Sequence, residues 1–509
     1  MQTGKFIKNA AVLTVTALIL RGIGMVFRVW LSGAVGAEGM GLYQLILSVY
    51  MLAATFATSG ICTAVTRLIA EELEVGTARS VRRILFRSVC LTLVIAAVST
   101  AAVFLLADVI AEFWIKDIRA ALSLKILSFS LPFMGVSSCI RGYFIALRRV
   151  AVQSSAQIFE QLIRIGVIML IIGHFAPYGI GYASAAVLIG DTVAEALSCL
   201  FMFIGYNVSR RNISAAECGR KSPPYSVTGR IATISLPITA GRYLTTGLRT
   251  IESLLVPQKL AAHSGAYDLS LAAFGNLKGM ALPVLFFPGS FLSALSTLMV
   301  PEMSGAAASG DKAAIRSAVS KTISITCEAA MIIAGIFVIF SGEIGRLLYS
   351  SDEVGVLIAC LAPLVPLMYL ESVTDGILKG LDQQNAVFRY NVIDSAVRIA
   401  LIYAVVPLFG MAGFLTVMAV SNVMTSVLCI GRLLRCAEMG FDWKNWVVRP
   451  IIAAVVACGG GYGAVRLMPE TGELLRFVIG AAVCIGVYAA VMVKFGGFKV
   501  FRRVKKQIM

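Results

Sequence analysis

The sequence predicts an all-α membrane protein that crosses the bilayer about fourteen times. Of its 509 residues, 58% are hydrophobic and only 14% are charged, and the mean hydropathy is +0.87. A water-soluble protein carries roughly 25% charged residues. Charge this sparse cannot cover a surface that faces water, so lipid must solvate much of the chain.

Fourteen segments are long and apolar enough to cross the hydrocarbon core, which takes about 20 residues. Several segments exceed that length, so tilted or extended helices are expected. The predicted spans are 6–31, 41–70, 84–111, 120–146, 150–174, 178–206, 230–256, 269–301, 315–341, 354–380, 386–409, 411–433, 447–467 and 474–495.

The distribution of basic residues supports this count. Of the 44 Lys and Arg residues, 29 fall on the side of both termini and 6 fall in the opposite loops. Cytoplasmic loops carry such an excess, so both termini are predicted to be cytoplasmic. The net charge of +17 then reflects topology and anionic membrane lipids, and nucleic acid is not an expected partner.

An internal repeat divides the first twelve spans into two lobes. Segment 142–170 aligns with 376–404 without a gap. Each copy has six spans, an even number, so the lobes are predicted to be parallel with a cavity between them. Charged positions inside the spans match in sign and spacing: Glu160 with Asp394, Arg164 with Arg398, Arg21 with Arg242, and Arg28 with Arg249.

The predicted domains follow from this repeat. Two six-helix lobes occupy 1–206 and 230–437, and a polar cytoplasmic linker at 207–229 joins them. Residues 438–509 add a terminal helix pair, spans thirteen and fourteen, and a basic cytoplasmic tail.

Basic residues inside the spans are the main functional signal. A charge at mid-bilayer costs about 2.5–3.5 kcal/mol on insertion scales, so it usually faces a protein interior or a watery cavity; the alternative is snorkelling to the interface. Arg21 and Arg28 share one helix face about 10.5 Å apart, and their repeat counterparts do the same. Arginine binds phosphate through a planar, permanently charged fork. The predicted anionic-headgroup site consists of Arg21, Arg28, Arg67, Arg242, Arg249 and Lys278.

Acidic residues inside the spans indicate where a coupling cation could bind. Asn391 with Asp394 can offer oxygen atoms to Na⁺, and Glu252 is a further candidate. Asp191 and Glu195 are like charges one turn apart, an arrangement that suits a proton or cation site.

The acid–base pairs Glu160–Arg164 and Asp394–Arg398 are also one turn apart. The favoured interpretation is that the members of each pair neutralise one another, with a coupling role as the alternative. The membrane potential and a cation gradient are both possible driving forces, and Na⁺ and H⁺ are the two candidate coupling ions.

The sequence contains no enzyme motif. It lacks a Walker A run, an HExxH motif and a GxSxG flanked by strand and helix, so neither catalysis nor ATP-driven transport by this chain alone is expected. None of the eleven cysteines forms a CxxC pair. No metal site, disulfide framework or cofactor is therefore predicted.

Several stretches resemble a known family, and their order along the chain agrees with it. The chain is similar to stage V sporulation protein B-like exporters of polysaccharide biosynthesis. These belong to the MOP flippase superfamily, together with the lipid II flippases and the MATE antiporters. The resemblance covers most of spans one to twelve and rests on 41–45 (GLYQL), 59–61 (SGI), 141–144 (RGYF), Gln157, 160–164 (EQLIR) and 279–283 (GMALP).

The resemblance implies alternating access by two six-helix lobes and transport of a polyprenyl-diphosphate-linked sugar such as lipid II. In the flippases, cavity arginines lie on the first, second and eighth spans. Arg21 matches the first of them, Arg28 lies one position from the second, and Arg67 and Lys278 are approximate counterparts. Spans thirteen and fourteen resemble a pair associated with a groove for the lipid tail.

The leading expectation is a flippase for a lipid-linked cell-wall or polysaccharide precursor, with spore-envelope formation as one setting. We expect a monomer in the cytoplasmic membrane, with a lipid-linked oligosaccharide or lipid II as its substrate. Two alternatives are a MATE-like cation-coupled antiporter of small molecules and a non-transporting scaffold for wall or spore-envelope enzymes. The first span has arginine and no acid, which argues against a cationic drug.

Overall fold

The computed structural model describes residues 2–58, 60–75, 78–209, 227–467 and 472–494. These residues are almost entirely helical and none of them lies in a strand, which confirms the all-α class. The helices are α1 (Gln2–Thr58), α2 (Ile61–Val75), α3 (Ala78–Val109), α4 (Ala120–Ser128), α5 (Ser130–Ala146), α6 (Val150–Phe175), α7 (Ile180–Ser209), α8 (Val227–Ser264), α9 (Tyr267–Phe274), α10 (Leu282–Ala308), α11 (Lys312–Ile339), α12 (Ser341–Tyr349), α13 (Asp352–Leu361), α14 (Val365–Gly380), α15 (Gln384–Cys436), α16 (Arg449–Arg466) and α17 (Glu473–Lys494).

Eleven helical segments in the described ranges are long and apolar enough to cross a membrane, which confirms a multi-pass membrane protein. Two of them, Thr14–Leu73 with 60 residues and Gln384–Cys436 with 53, far exceed the length of one crossing. The 38-residue α8 is not among the eleven, because charged residues interrupt its apolar stretches. The number of fourteen crossings therefore stays a prediction.

Glycine allows two of the longest helices to change direction. Gly36 in α1 has φ 71° and ψ 179°, and Gly410 in α15 has φ 57° and ψ −136°. A side chain with a Cβ atom is strained at such positive φ values, whereas glycine is not. Each bend falls between two spans that the sequence predicts as separate.

The chain divides into two compact units, Met1–Gly275 and Asn276–Met509. The first unit contains α1 to α9 and the second contains α10 to α17. In the structure, α8 and α9 pack with the seven helices before them. The predicted lobe boundaries are based on the sequence repeat instead, and they stay a prediction. Most of the predicted linker at 207–229 and the tail after residue 494 lie outside the described residues.

Ion pairs explain why α8 and α9 belong to the first unit. At the start of α8, Arg230 Nη2 lies 2.7 Å from Glu71 Oε2 on α2. At the start of α9, Asp268 lies 3.1 Å from the guanidinium of Arg119, which also lies 2.7 Å from Glu38 on α1. Charged contacts therefore join the α8–α9 segment to the other helices of its unit at both ends.

Equivalent contacts inside each unit support the internal repeat. Gly142 on α5 packs against α2, where an added Cβ would lie 2.8 Å from the carbonyl oxygen of Cys62. Gly376 on α14 packs in the same way against Ser296 on α10. Gly376 follows Gly142 by 234 positions, and Ser296 follows Cys62 by the same number. This is the offset that aligns the two sequence copies.

The last two helices, α16 and α17, pack on each other and on α11 of the same unit. Ala453 and Ala457 of α16 are buried in a cluster with Tyr488 and Met492 of α17. The Tyr488 hydroxyl donates a 2.7 Å hydrogen bond to the carbonyl of Glu328 on α11. Small residues such as alanine allow helices to approach closely inside a membrane, which explains the packing of α16 on α17. The hydrogen bond from Tyr488 joins α17 to α11.

Replacing Gly142 with alanine should destabilise the protein. The added methyl group would press on the backbone of α2, and overpacking of this kind costs about 1–3 kcal/mol. Thermal unfolding in detergent should show a lower midpoint. The matched control is Gly166→Ala on α6, where an added Cβ meets nothing within 4 Å. Equal midpoints for the two variants would contradict the proposed close contact.

Candidate substrate-binding site

The structure places five of the six predicted headgroup cations in the first unit. Their placement is observed, and their role in binding stays a prediction. Arg21 and Arg28 lie on α1, Arg67 on α2, Arg242 and Arg249 on α8, and the half-buried Lys278 in the π-helical segment Gly275–Ala281 at the start of the second unit.

The two arginines of α1 lie before the bend at Gly36. Arg21 is exposed and Arg28 is half-buried. Arg28 lies within electrostatic range of Tyr43, which follows the bend. In a straight helix these two positions would be about 22 Å apart. The bend therefore brings the arginine-bearing part of α1 back beside the part that packs in the unit.

The two arginines of α8 lie beside a contact between α8 and α1. Thr250 of α8 donates a 2.9 Å hydrogen bond to the carbonyl of Ser48, and Thr55 of α1 donates one of 3.4 Å to Thr246. These pairs show that α8 runs antiparallel to the second part of α1. Both α8 arginines are exposed, whereas Thr250 is buried. The helix contact thus leaves both guanidinium groups accessible.

Arg67 forms an ion pair that the sequence analysis did not predict. Its Nε lies 3.1 Å from Glu71 Oε1, and Arg230 approaches the other oxygen of the same carboxylate. The Arg67 side chain is 65% exposed. An exposed pair contributes about 1 kcal/mol or less. Arg67 can therefore exchange Glu71 for an anionic ligand at a small cost in free energy.

The predicted coupling residues are divided between the units. Glu252 is buried in the first, whereas Asn391 and Asp394 are half-buried on α15 in the second. Ser421 donates a hydrogen bond to Asp394 Oδ1, and Arg398 Nη1 lies 4.0 Å from the other oxygen. Arg398 and Ser421 thus already contact the Asp394 carboxylate. A cation bound to Asp394 would share this carboxylate with both side chains.

A charge network in the first unit was only partly predicted from sequence. Arg164 of α6 lies 2.8 Å from Glu160 and 2.7 Å from Asp191 of α7. Tyr43 donates to the other Asp191 oxygen at 3.4 Å, and Ser198 donates to Glu160 at 3.3 Å. Sequence spacing identifies the pair within α6. The contact with Asp191 comes from the next helix and leaves no local signal.

The fold defines a polytopic helical membrane protein. The model of the family described as "Polysaccharide biosynthesis protein" matches residues 6–306, more than half of the sequence. The chain belongs to this family, which confirms the resemblance seen in the sequence.

Known proteins resemble the chain over nearly its whole length. Stage V sporulation protein B of Bacillus subtilis (strain 168) is 24% identical over 98% of this chain and 96% of its own. Lipid II flippase MurJ of the same organism is 22% identical over 96% and 94%. The solved structure of Lipid II flippase MurJ in its inward closed conformation matches with a TM-score of 0.71 and 14% identity, over 94% of this chain and 98% of that one. This structural likeness establishes a shared fold.

Replacing Arg164 with methionine should strongly destabilise the protein. Two carboxylates would lose their shared cation in a mostly enclosed site, and breaking a buried ion pair typically costs about 3–5 kcal/mol. Thermal unfolding in detergent measures the loss. Arg67→Met, which breaks only an exposed pair, is the control and should cost about 1 kcal/mol or less. Adding Asp191→Asn to the Arg164 variant should recover part of the loss; no recovery would contradict this pairing.

Proposed function

We propose that the protein is a flippase that moves a polyprenyl-diphosphate-linked precursor of cell wall or polysaccharide across the cytoplasmic membrane. Two pairs of arginines, which we call the arginine ladders, lie in one unit: Arg21 and Arg28 on α1, and Arg242 and Arg249 on α8. The observation that carries the proposal is that hydrogen bonds join these two helices. These helices thus carry four permanent positive charges, and a diphosphate can bind arginine through paired hydrogen bonds.

The relatives support the substrate class. One is named as a lipid II flippase and another as a sporulation protein, which favours a wall precursor and a role in spore-envelope formation. In this proposal α16 and α17 accommodate the lipid tail, and alternating access moves the headgroup. Both termini are cytoplasmic and the protein acts as a monomer.

A cation gradient is the proposed driving force. Asn391 and Asp394 supply oxygen ligands to Na⁺ in the second unit, and Glu252 is a further coupling residue in the first. Because Arg398 and Ser421 already contact Asp394, cation binding there would redistribute these contacts. Such a change in local charge gives an ion a means of favouring one conformation of the transporter.

Replacing Arg21 and Arg242 together with alanine should abolish flipping. Each ladder would lose one guanidinium, and with it a bidentate contact to the diphosphate. The measurement is the flipping of fluorescent lipid II in proteoliposomes, with folding checked by thermal unfolding. The matched control is Arg87→Ala, which removes an exposed arginine of α3 and should leave the rate unchanged. A folded double variant with full activity would refute the ladder site.

Replacing Asp394 with asparagine should remove the stimulation of flipping by a Na⁺ gradient. The substitution keeps the size of the side chain and deletes the charge that would attract the ion. The control is Asp382→Asn, which alters an exposed acid just before α15. Flipping with an unchanged Na⁺ response in the Asp394 variant would exclude this carboxylate as the coupling site.

A further inference from the structure

The RGYF stretch at 141–144 begins with an arginine to which the sequence analysis assigns no function. Arg141 lies on α5, in the apolar segment Ala120–Ala146 and five residues before its end. Five residues correspond to about 7.5 Å along a helix axis, so Arg141 belongs to the membrane-spanning part of α5. A charge at such a depth needs an acid, a watery cavity or a ligand.

The side chain of Arg141 has no partner among the described residues. It forms no ion pair and donates no hydrogen bond there, and its Nε atom is enclosed by protein. The two Nη atoms are not among the enclosed atoms, and the residue as a whole is half-buried. The guanidinium therefore has donors that no described residue uses, and its outer edge stays accessible.

The second sequence copy has the opposite charge at the equivalent position. With the offset of 234, Arg141 corresponds to Asp375 of α14, and the adjacent glycines, Gly142 and Gly376, pack in the same way. Asp375 is paired with Lys379, one turn further on, at 2.5 Å, whereas the first copy has an isoleucine in that place. The shared packing therefore does not require arginine. In the described structure the second copy, unlike the first, neutralises its charge internally.

Contacts of α5 place Arg141 beside the corner between α1 and α2. Ser138, one turn before Arg141 on α5, donates a 3.4 Å hydrogen bond to the carbonyl of Thr58, the last residue of α1. Thr66 of α2 donates a 3.1 Å hydrogen bond to the carbonyl of Gly142, the residue after Arg141. Arg141 thus lies between two residues of α5 that both contact this corner.

Helix α8 packs on the same corner. A Cβ atom at Gly60, which lies between α1 and α2, would be 2.8 Å from the hydroxyl of Thr239. One turn after Thr239 comes Arg242, a member of the arginine ladder of α8. Arg141 and Arg242 therefore lie beside one corner on two different helices, and both are within electrostatic range of Cys62 at the start of α2.

We propose that Arg141 is a further residue of the headgroup site and sets its preference for a diphosphate over a monophosphate; this inference rests on the proposed flippase function. A guanidinium holds a phosphate group through paired hydrogen bonds. Arg141 and Arg242, on separate helices beside one corner, each hold one phosphate of the diphosphate. A monophosphate offers this pair fewer charges and fewer oxygen atoms, so it binds more weakly.

Competition measured by native mass spectrometry on the full-length protein tests the role of Arg141. The probes are a polyprenyl diphosphate and the polyprenyl monophosphate of the same chain length. The wild type and Arg87→Gln, the control at an exposed arginine of α3, should prefer the diphosphate. Arg141→Gln should lose about tenfold of this preference, the effect of one hydrogen bond between charged groups. Arg141→Lys keeps the charge without the fork and should lie between. An unchanged preference in Arg141→Gln would overturn the proposal.

Thermal unfolding of the ligand-free protein separates binding from a structural role. Because the Arg141 side chain has no described partner to lose, Arg141→Gln should unfold at or above the midpoint of the wild type. A midpoint clearly below that of Arg87→Gln would show that the guanidinium stabilises the fold, and it would contradict the proposal.

Flipping of fluorescent lipid II in proteoliposomes distinguishes this inference from the flippase function. If the diphosphate preference depends on Arg141 and the wild type flips nothing, the flippase function is refuted and the binding residue stands. If the wild type flips and Arg141→Gln keeps the full preference for the diphosphate, the flippase function stands and the role of Arg141 is refuted.

Discussion

A charge inside a membrane must be compensated by an opposite charge, by hydrogen bonds, by water or by a ligand, and this requirement organises the described part of the protein. Arg164 is compensated internally by Glu160 and Asp191. By contrast, Arg21 on α1 and both Arg242 and Arg249 on α8 are exposed. The first arrangement stabilises the fold, whereas the second is suited to binding an anion.

Backbone geometry makes the second arrangement possible. The positive φ of Gly36 bends α1 so that Arg28 comes within range of Tyr43, and Tyr43 in turn hydrogen-bonds to Asp191. The arginine-bearing part of α1 is thus linked to the internal network through one tyrosine. A change of charge in the network can therefore influence the position of the predicted headgroup site.

Much of the fold could be predicted from the sequence, because long apolar segments and the distribution of basic residues report directly on membrane spans. The repeat could also be predicted, since charged residues inside spans are rare enough to align. The packing of α8 within the first unit could not be predicted. It depends on contacts such as Thr250 with Ser48, which join residues about 200 positions apart.

The candidate site shows the same limit. Seven-residue spacing predicts that Arg21 and Arg28 share a helix face, since this follows from helix geometry alone. The ion pair between Arg67 and Glu71 could have been predicted from the i,i+4 rule. The contact of Arg230 with the same carboxylate could not, because Arg230 lies far away in the sequence.

The central claim is that the arginines of α1 and α8 bind a diphosphate headgroup, and a competition experiment by native mass spectrometry tests it directly. The purified protein would be offered a polyprenyl diphosphate and the uncharged polyprenol of the same chain length. The diphosphate should displace the polyprenol from the wild type, and this preference should disappear when Arg21, Arg28, Arg242 and Arg249 are replaced with glutamine. An equal preference in both proteins would contradict it.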